Sequence, residues 1–131
     1  MRILGVDFGA ARTGVAVSDD SETIATPLTV VEHAATPTGL ERIRTLVEEC
    51  GAEQIVVGLP LTLGGERGEQ ARRTEAFVAA LRAALDVPVA TYDERFTTAL
   101  AAQVSGDAPE DARAAAHLLE SYLTWKSARP N

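Results

Sequence analysis

The chain has 131 residues, 46% of them hydrophobic, with a single cysteine and a formal net charge of −7. These values fit one folded domain, which we place at residues 1–126 with 127–131 as a frayed tail, and they exclude a disulfide framework or a zinc–cysteine cage. No apolar run approaches the ~18 residues of a membrane span, and the N-terminus has no signal-peptide pattern, so we expect a cytoplasmic protein without a membrane partner. The negative charge argues against nonspecific binding to nucleic acid, although acids that bind divalent metals would reverse the charge locally.

The apolar pattern predicts three strands, then helix, strand, helix, strand and two further helices. The first strand contains Ile3, Leu4 and Val6 and ends at Asp7, and the second begins at Val15. Further strands are predicted at residues 23–31, 54–58 and 87–91, and helices at 37–50, 68–85, 97–104 and 109–126. Three strands with short links, followed by strand–helix–strand units, indicate an α/β fold: a five-stranded mixed sheet in which strands 1–3 are antiparallel, flanked by helices.

Acidic residues stand where predicted elements begin or end. Asp7 closes the first strand, Asp93 and Glu94 follow the fifth strand, and Asp111 lies in the first turn of the last helix. Asp111 shares a helix face with the small or apolar residues at positions 115, 118 and 122, so it should face the sheet. We therefore expect acids from three separate elements to approach one another.

Each acid also has a purely structural interpretation. Asp7 would accept hydrogen bonds within its own turn, Asp93 and Glu94 would be solvated beside Arg95, and Asp111 would favour the positive end of its helix. Three converging acids, however, repel one another unless they are protonated or bridged by cations. Oxygen ligands without a Cys or His cluster suit Mg²⁺ or Mn²⁺, and two such ions would support hydrolysis of a phosphodiester.

Three further features carry weaker signals. The glycine-rich residues 57–68 would let a phosphate approach the backbone, but they lack the lysine of a Walker motif and are equally typical of a flexible connection. Arg67, Arg72 and Arg73 would line a nucleic-acid path or form a solvated face. His117 shares a helix face with polar and charged residues, so we expect it on the polar side of the last helix and not as a general base.

Four segments together resemble one family. They are Asp7-Phe-Gly-Ala-Ala-Arg-Thr-Gly-Val-Ala16, Gly58-Leu-Pro-Leu, Asp93-Glu-Arg-Phe-Thr-Thr98 and residues 111–123. Over residues 1–124 the chain is similar to the YqgF/RuvX family, small proteins with an RNase H-like fold that are related to the RuvC Holliday junction resolvases. The combination of the first and third segments is specific, whereas neither glycine pattern alone would be.

The resemblance implies a cytoplasmic nuclease that matures the 5′ end of pre-16S ribosomal RNA with a divalent metal, Mg²⁺ or Mn²⁺. The implied catalytic and metal-binding acids are Asp7, Glu94 and Asp111, and the implied substrate-binding residues near the scissile phosphate are Arg12, Arg95 and Thr97. Residues 99–111 depart from the family pattern, because they are few and hold no basic residue where members commonly carry a lysine- and arginine-rich stretch. Substrate affinity would then depend on a partner or on a homodimer with a wider contact surface.

Three other functions stay open from the residues alone. Cleavage of branched DNA is the nearest, because the contacts to a 2′-hydroxyl that distinguish RNA are not visible in a sequence. A nucleotide-binding domain of the actin or sugar-kinase type also begins with a strand ending in Asp-x-Gly, but it needs a second domain to enclose ATP, for which 131 residues leave no room. A non-catalytic ribosome-assembly factor would keep the fold without the chemistry, and the intact acids count against it.

Overall fold

A five-stranded sheet with helices on both faces forms the centre of the protein, as a computed structural model describes it for residues 1–61, 64–96 and 108–129. The elements are β1 Arg2–Asp7, β2 Arg12–Ser18, β3 Ala25–Glu32, α1 Pro37–Cys50, β4 Ala52–Leu59, α2 Glu69–Ala84, β5 Val89–Asp93, a 3₁₀ turn Glu94–Phe96, and α3 Glu110–Ser127. The helix predicted at residues 97–104 lies outside the described residues. No helix within the described residues is long and apolar enough to cross a membrane.

The sheet order is β3-β2-β1-β4-β5. The pairs β1–β2 and β2–β3 are antiparallel, whereas β1–β4 and β4–β5 are parallel. The predicted mixed sheet with three antiparallel strands at its start is therefore confirmed. Because β1, β4 and β5 run in the same direction, their C-terminal ends meet at one edge, which also contains the start of β2. We call this edge the carboxyl edge.

The two faces of the sheet bury separate apolar clusters. On one face, Leu4 and Val6 of β1 pack in a cluster with Phe77 of α2 and with residues of α1. On the other face, Ile3 packs in a cluster with residues of α3. Since successive side chains of a strand point to opposite faces, Asp7 shares the face of Ile3. The alternation along β1 thus directs this acid towards α3.

The boundary of β5 differs from its prediction. The sequence predicts a strand at residues 87–91, but β5 is Val89–Asp93. Its pairing with β4 runs from Ile55–Val89 to Leu59–Asp93 and so continues the strand two residues further. Val87 instead packs against the apolar cluster beneath α1 and α2. The consequence is that Glu94 directly follows the end of the strand.

Aromatic side chains stabilise the far end of α3 against β5. The ring centroids of Tyr92, Tyr122 and Trp125 lie 5.6–5.9 Å apart, and both tyrosines are buried. Tyr92 Oη and Ser121 Oγ are within 2.9 Å of each other and hydrogen-bond. These aromatic residues therefore serve packing. Helix α3 ends at Ser127, one residue inside the segment predicted as a frayed tail.

Candidate active site

Asp7 occupies the carboxyl edge as the last residue of β1, half-buried beneath α3. Its neighbour in β2 is Gly14. A Cβ atom at Gly14 would lie 1.8 Å from the backbone oxygen of Asp111, so only glycine lets the first turn of α3 come this close to the sheet. This close approach brings Asp111 to the same place as Asp7.

Glu94 reaches Asp7 from the other side of β4. It begins the 3₁₀ turn after β5, and its side chain passes over Gly58 at the end of β4. A Cβ atom at Gly58 would lie 2.5 Å from Glu94 Oε1, so the missing side chain makes room for the acid. The carboxyl groups of Glu94 and Asp7 hydrogen-bond to each other. Two acids that are far apart in the sequence thus form one pair.

The electrostatics of this pair favour a shared proton. The pKa of Asp7 is raised, chiefly because of burial; the hydrogen bond with Glu94 lowers it and the charge of Asp111 raises it. Burial raises the pKa of Glu94 to about 7, with further contributions from the charge and hydrogen bond of Asp7 and from the charge of Asp93. In this arrangement Glu94 donates and Asp7 accepts. Glu94 therefore holds the proton up to near-neutral pH.

Asp111 lies beside the acid pair, but an arginine binds its carboxylate. Arg12 Nε is 2.9 Å from Asp111 Oδ2, and both side chains are partly exposed. Within residues 1–61, 64–96 and 108–129, no three Asp, Glu, His or Cys side chains converge closely enough to hold a metal ion. The structure brings Asp7 and Glu94 into contact. Asp111 lies beside them but forms its ion pair with Arg12.

The donor atoms of this site fit a hard divalent cation. The acid pair places carboxyl oxygens in a partly desolvated position where negative charge is unfavourable, as the raised pKa values of both acids show. A cation would relieve this repulsion, and an oxygen-only set suits Mg²⁺ or Mn²⁺. Asp111 is a further oxygen donor beside the pair, and as a ligand it would be shared between the cation and Arg12 or released by Arg12.

An open cavity of about 230 Å³ lies against the acid pair and is lined by Asp7, Glu94, Ala114, His117 and Leu118. The last three residues belong to one face of α3, where positions three and four apart are neighbours. His117, expected on the polar side of α3, is half-buried and forms part of the wall of a cavity that is also lined by two acids.

Arg95 lies at the carboxyl edge and binds Asp93. Arg95 Nε is 3.1 and 2.9 Å from the two carboxylate oxygens, and the backbone N–H of Arg95 donates to Asp93 Oδ1 over 2.9 Å. These bonds hold the pKa of Asp93 below its usual range. A Cβ atom at Gly65 would lie 3.3 Å from Arg95 Nη1, so the glycine-rich loop approaches this guanidinium. Thr97 lies outside the described residues.

The arginines at the start of α2 form local contacts. Arg67 pairs with Glu75 over 3.2 Å, and Arg73 pairs with Glu69 over 2.8 Å. All four side chains are exposed or nearly so, which is the arrangement of a solvated face. Such exposed pairs contribute little to stability and exchange readily with other anions.

A family model and sequence relatives indicate the family, and a solved structure shows the same fold. The RuvX family model, described as Holliday junction resolvase, matches residues 1–125. A relative from Chloroflexus aurantiacus described as "Putative pre-16S rRNA nuclease" is 39% identical over 138 residues, covering 98% of this chain and 90% of the relative. One from Desulforudis audaxviator with the same description is 38% identical over 140 residues, covering 100% and 99%. The solved structure of T. thermophilus RuvC in complex with a Holliday junction substrate has the same fold, with a TM-score of 0.65 at 15% identity over 98% of this chain and 96% of that one.

Proposed function

Because the chain belongs to the RuvX family of Holliday junction resolvases, we propose that it is a metal-dependent nuclease that acts in 5′-end maturation of pre-16S ribosomal RNA. The observation that carries this proposal is the Asp7–Glu94 pair, two carboxyl groups from the end of β1 and the turn after β5 that are held in contact beside an open cavity. These two acids and Asp111 would hold two Mg²⁺ or Mn²⁺ ions. When bound, the ions supply an activated water and stabilise the leaving oxygen of the phosphodiester.

The side chains of the site have distinct tasks in this proposal. Asp7 and Glu94 supply closely spaced oxygen donors whose backbones are fixed by the ends of β1 and β5. Asp111 supplies a further donor from the first turn of α3. Arg12, once released from Asp111, is suited to a phosphate oxygen, since a guanidinium binds phosphate with oriented hydrogen bonds. Arg95 and Thr97 are proposed as further substrate contacts.

Cleavage of branched DNA is the second candidate function. It is favoured by the fold shared with a RuvC whose structure was solved on a Holliday junction. The same acid pair serves either substrate, because both reactions hydrolyse a phosphodiester. The RNA substrate is preferred because the relatives that match nearly the whole chain carry the RNA description.

The decisive experiment compares three substrates: pre-16S RNA, an unstructured single-stranded RNA and a four-way DNA junction. Each is incubated with the protein in Mg²⁺, in Mn²⁺ and in a chelator. We expect metal-dependent cleavage of the pre-16S RNA. Asp7→Asn should reduce the rate at least about 100-fold while the protein stays folded, because it removes a ligand charge at the reacting centre. Glu53→Gln, at an exposed position of β4, is the matched control and should cleave like the wild type.

The other outcomes each contradict a part of the proposal. Cleavage of the junction alone would identify a resolvase and overturn the RNA substrate. Failure to cleave any of the three would favour a non-catalytic assembly factor. Full activity of Asp7→Asn would show that the acid pair is not the reacting centre.

We also propose that the protein binds RNA as a cytoplasmic homodimer, in which two copies together form the RNA-binding surface. The chain carries a net charge of −7, and Arg67 and Arg73 are engaged in ion pairs. A single copy therefore offers little positive surface to a phosphate backbone. Sedimentation of the protein with and without RNA tests this: full RNA affinity of a monomer contradicts the dimer.

A further inference from the structure

His117 belongs to the wall of the acid cavity, although no part of the proposed metal chemistry uses it. It lies on α3 six residues after Asp111, in the middle of the helix, and is half-buried. The cavity that it lines is the one that also exposes Asp7 and Glu94. A ligand that reaches the acid pair through this cavity therefore passes the imidazole.

The ring nitrogen Nε2 of His117 is buried and has no hydrogen-bond partner among the described residues. Such unpartnered buried polar atoms are unfavourable and therefore rare in folded proteins. The neighbouring wall residues Ala114 and Leu118 have no polar side-chain atoms that could serve as partners. Because His117 lines an open cavity, an imidazole ring that turns its Nε2 towards that cavity finds the missing partner in whatever binds there.

The composition of the wall identifies the chemistry of that ligand. Asp7 and Glu94 present oxygens and share a proton between themselves. Among the described residues of the lining, His117 is the one further residue whose side chain can donate a hydrogen bond. Phosphate oxygens are acceptors, and carboxylates repel them. A phosphodiester that cations hold at the acids would therefore turn its free non-bridging oxygen towards the imidazole.

We propose that His117 is a substrate-contacting residue of this site and that its Nε2–H donates a hydrogen bond to a non-bridging phosphate oxygen of the bound nucleic acid. This inference rests on the proposed function, because it takes the ligand of the cavity to be a nucleic-acid backbone. The side of the cavity formed by α3 would then bind the substrate, and the side formed by Asp7 and Glu94 would bind the cations.

The test uses two substitutions that differ in hydrogen bonding. His117→Leu fills similar space without a donor, and His117→Gln carries an amide N–H close to the position of Nε2. Both are made in an Asp7→Asn background, and the dissociation constant of a short RNA taken from the 5′ end of pre-16S RNA is measured by fluorescence anisotropy, so that binding is recorded without cleavage. Thermal unfolding of each variant reports whether α3 stays packed.

We expect His117→Leu to weaken RNA binding about tenfold, the effect of one hydrogen bond to a charged group, and His117→Gln to stay within about threefold of its parent. Equal affinities of the Leu variant and its parent overturn the proposal, and so does a loss shared equally by Leu and Gln. Calorimetric titration of Mn²⁺ into otherwise wild-type His117→Leu separates a second possibility. Unchanged Mn²⁺ affinity is expected, and a loss of about tenfold would make His117 a metal ligand instead.

The binding assay separates this inference from the proposed nuclease activity. A protein that binds RNA through His117 but cleaves none of the three substrates would retain the inference and lose the nuclease. A protein that cleaves RNA with unchanged affinity in His117→Leu would retain the nuclease and lose the inference. Absence of RNA binding by every variant, including the parent, would overturn both.

Discussion

Replacement of Glu94 by glutamine should stabilise the folded protein at neutral and alkaline pH while it removes activity. Glu94 has its pKa raised from 4.5 to about 7, first by burial and then by its contacts with Asp7. The folded protein therefore binds this proton more tightly than the unfolded chain does, and folding stability falls as the pH rises from about 4.5 to about 7. Above pH 7 the loss is complete. Glutamine cannot ionise, so the variant escapes this loss.

The size of the effect follows from the pKa. Each pKa unit corresponds to about 1.4 kcal/mol, so the interval from 4.5 to about 7 sets an upper limit of about 3.4 kcal/mol on the lost stability. Glu94 is only partly buried, and solvent screening reduces the figure to about 1–2 kcal/mol. The glutamine amide also donates to Asp7, as the protonated acid does, so the contact within the pair is retained.

The assay is urea unfolding of the wild type and of Glu94→Gln at pH values from about 5 to about 8, in a chelator. The difference in free energy of unfolding should be small near pH 5 and should grow in favour of the variant by about 1–2 kcal/mol near pH 8. Glu53→Gln, at an exposed strand position, serves as the control and should show no such change. A difference between Glu94→Gln and the wild type that is independent of pH refutes the reasoning, because it means that Glu94 does not titrate abnormally.

Three further predictions concern the same edge of the sheet. Gly14→Ala should lower the free energy of unfolding by at least about 2 kcal/mol in urea titrations, because its Cβ atom would lie 1.8 Å from the backbone oxygen of Asp111 and the whole start of α3 must move. Gly58→Ala should cost less than about 1 kcal/mol but reduce the cleavage rate about 10- to 100-fold, since the nearest atoms belong to the flexible side chain of Glu94, which a methyl group would displace from Asp7. Calorimetric Mn²⁺ affinity should rise between about pH 5.5 and 7 and then level off, because binding displaces the proton shared by the acid pair; a flat profile contradicts the shared proton.

Much of the fold was predictable from the sequence, because the apolar runs coincide with the strands that pair in the sheet. Apolar runs located all five strands, and the short links between the first three identified the antiparallel part of the sheet. The error at β5 has a physical cause. The β-branched side chain of Val87 is typical of a strand, but this residue packs against the apolar cluster under α1 and α2. The pairing with β4 begins only at Val89.

That two-residue error also concealed which acid joins Asp7. Along β5, Tyr92 lies in the cluster beneath α3 and Val89 in the cluster on the opposite face. Alternation therefore directs Asp93 away from α3, where it binds Arg95, and the next residue, Glu94, towards it. A strand predicted to end at residue 91 does not show to which face of the sheet residues 93 and 94 point. The residues alone therefore did not decide whether Asp93 or Glu94 joins Asp7, and only the family resemblance favoured Glu94.

The acid that pairs with Arg12 could not be identified from the sequence, because Arg12 and Asp111 are far apart in the chain, at the start of β2 and of α3. It matters because the acids of this site are neutralised in two ways. Asp7 and Glu94 share a proton, whereas Asp111 is offset by a guanidinium. A cation that recruits all three acids must displace the proton and compete with Arg12 for Asp111. The displaced guanidinium stays at the edge of the site, where a phosphate carries the charge that it needs. Metal binding and substrate binding would therefore support each other through this one residue.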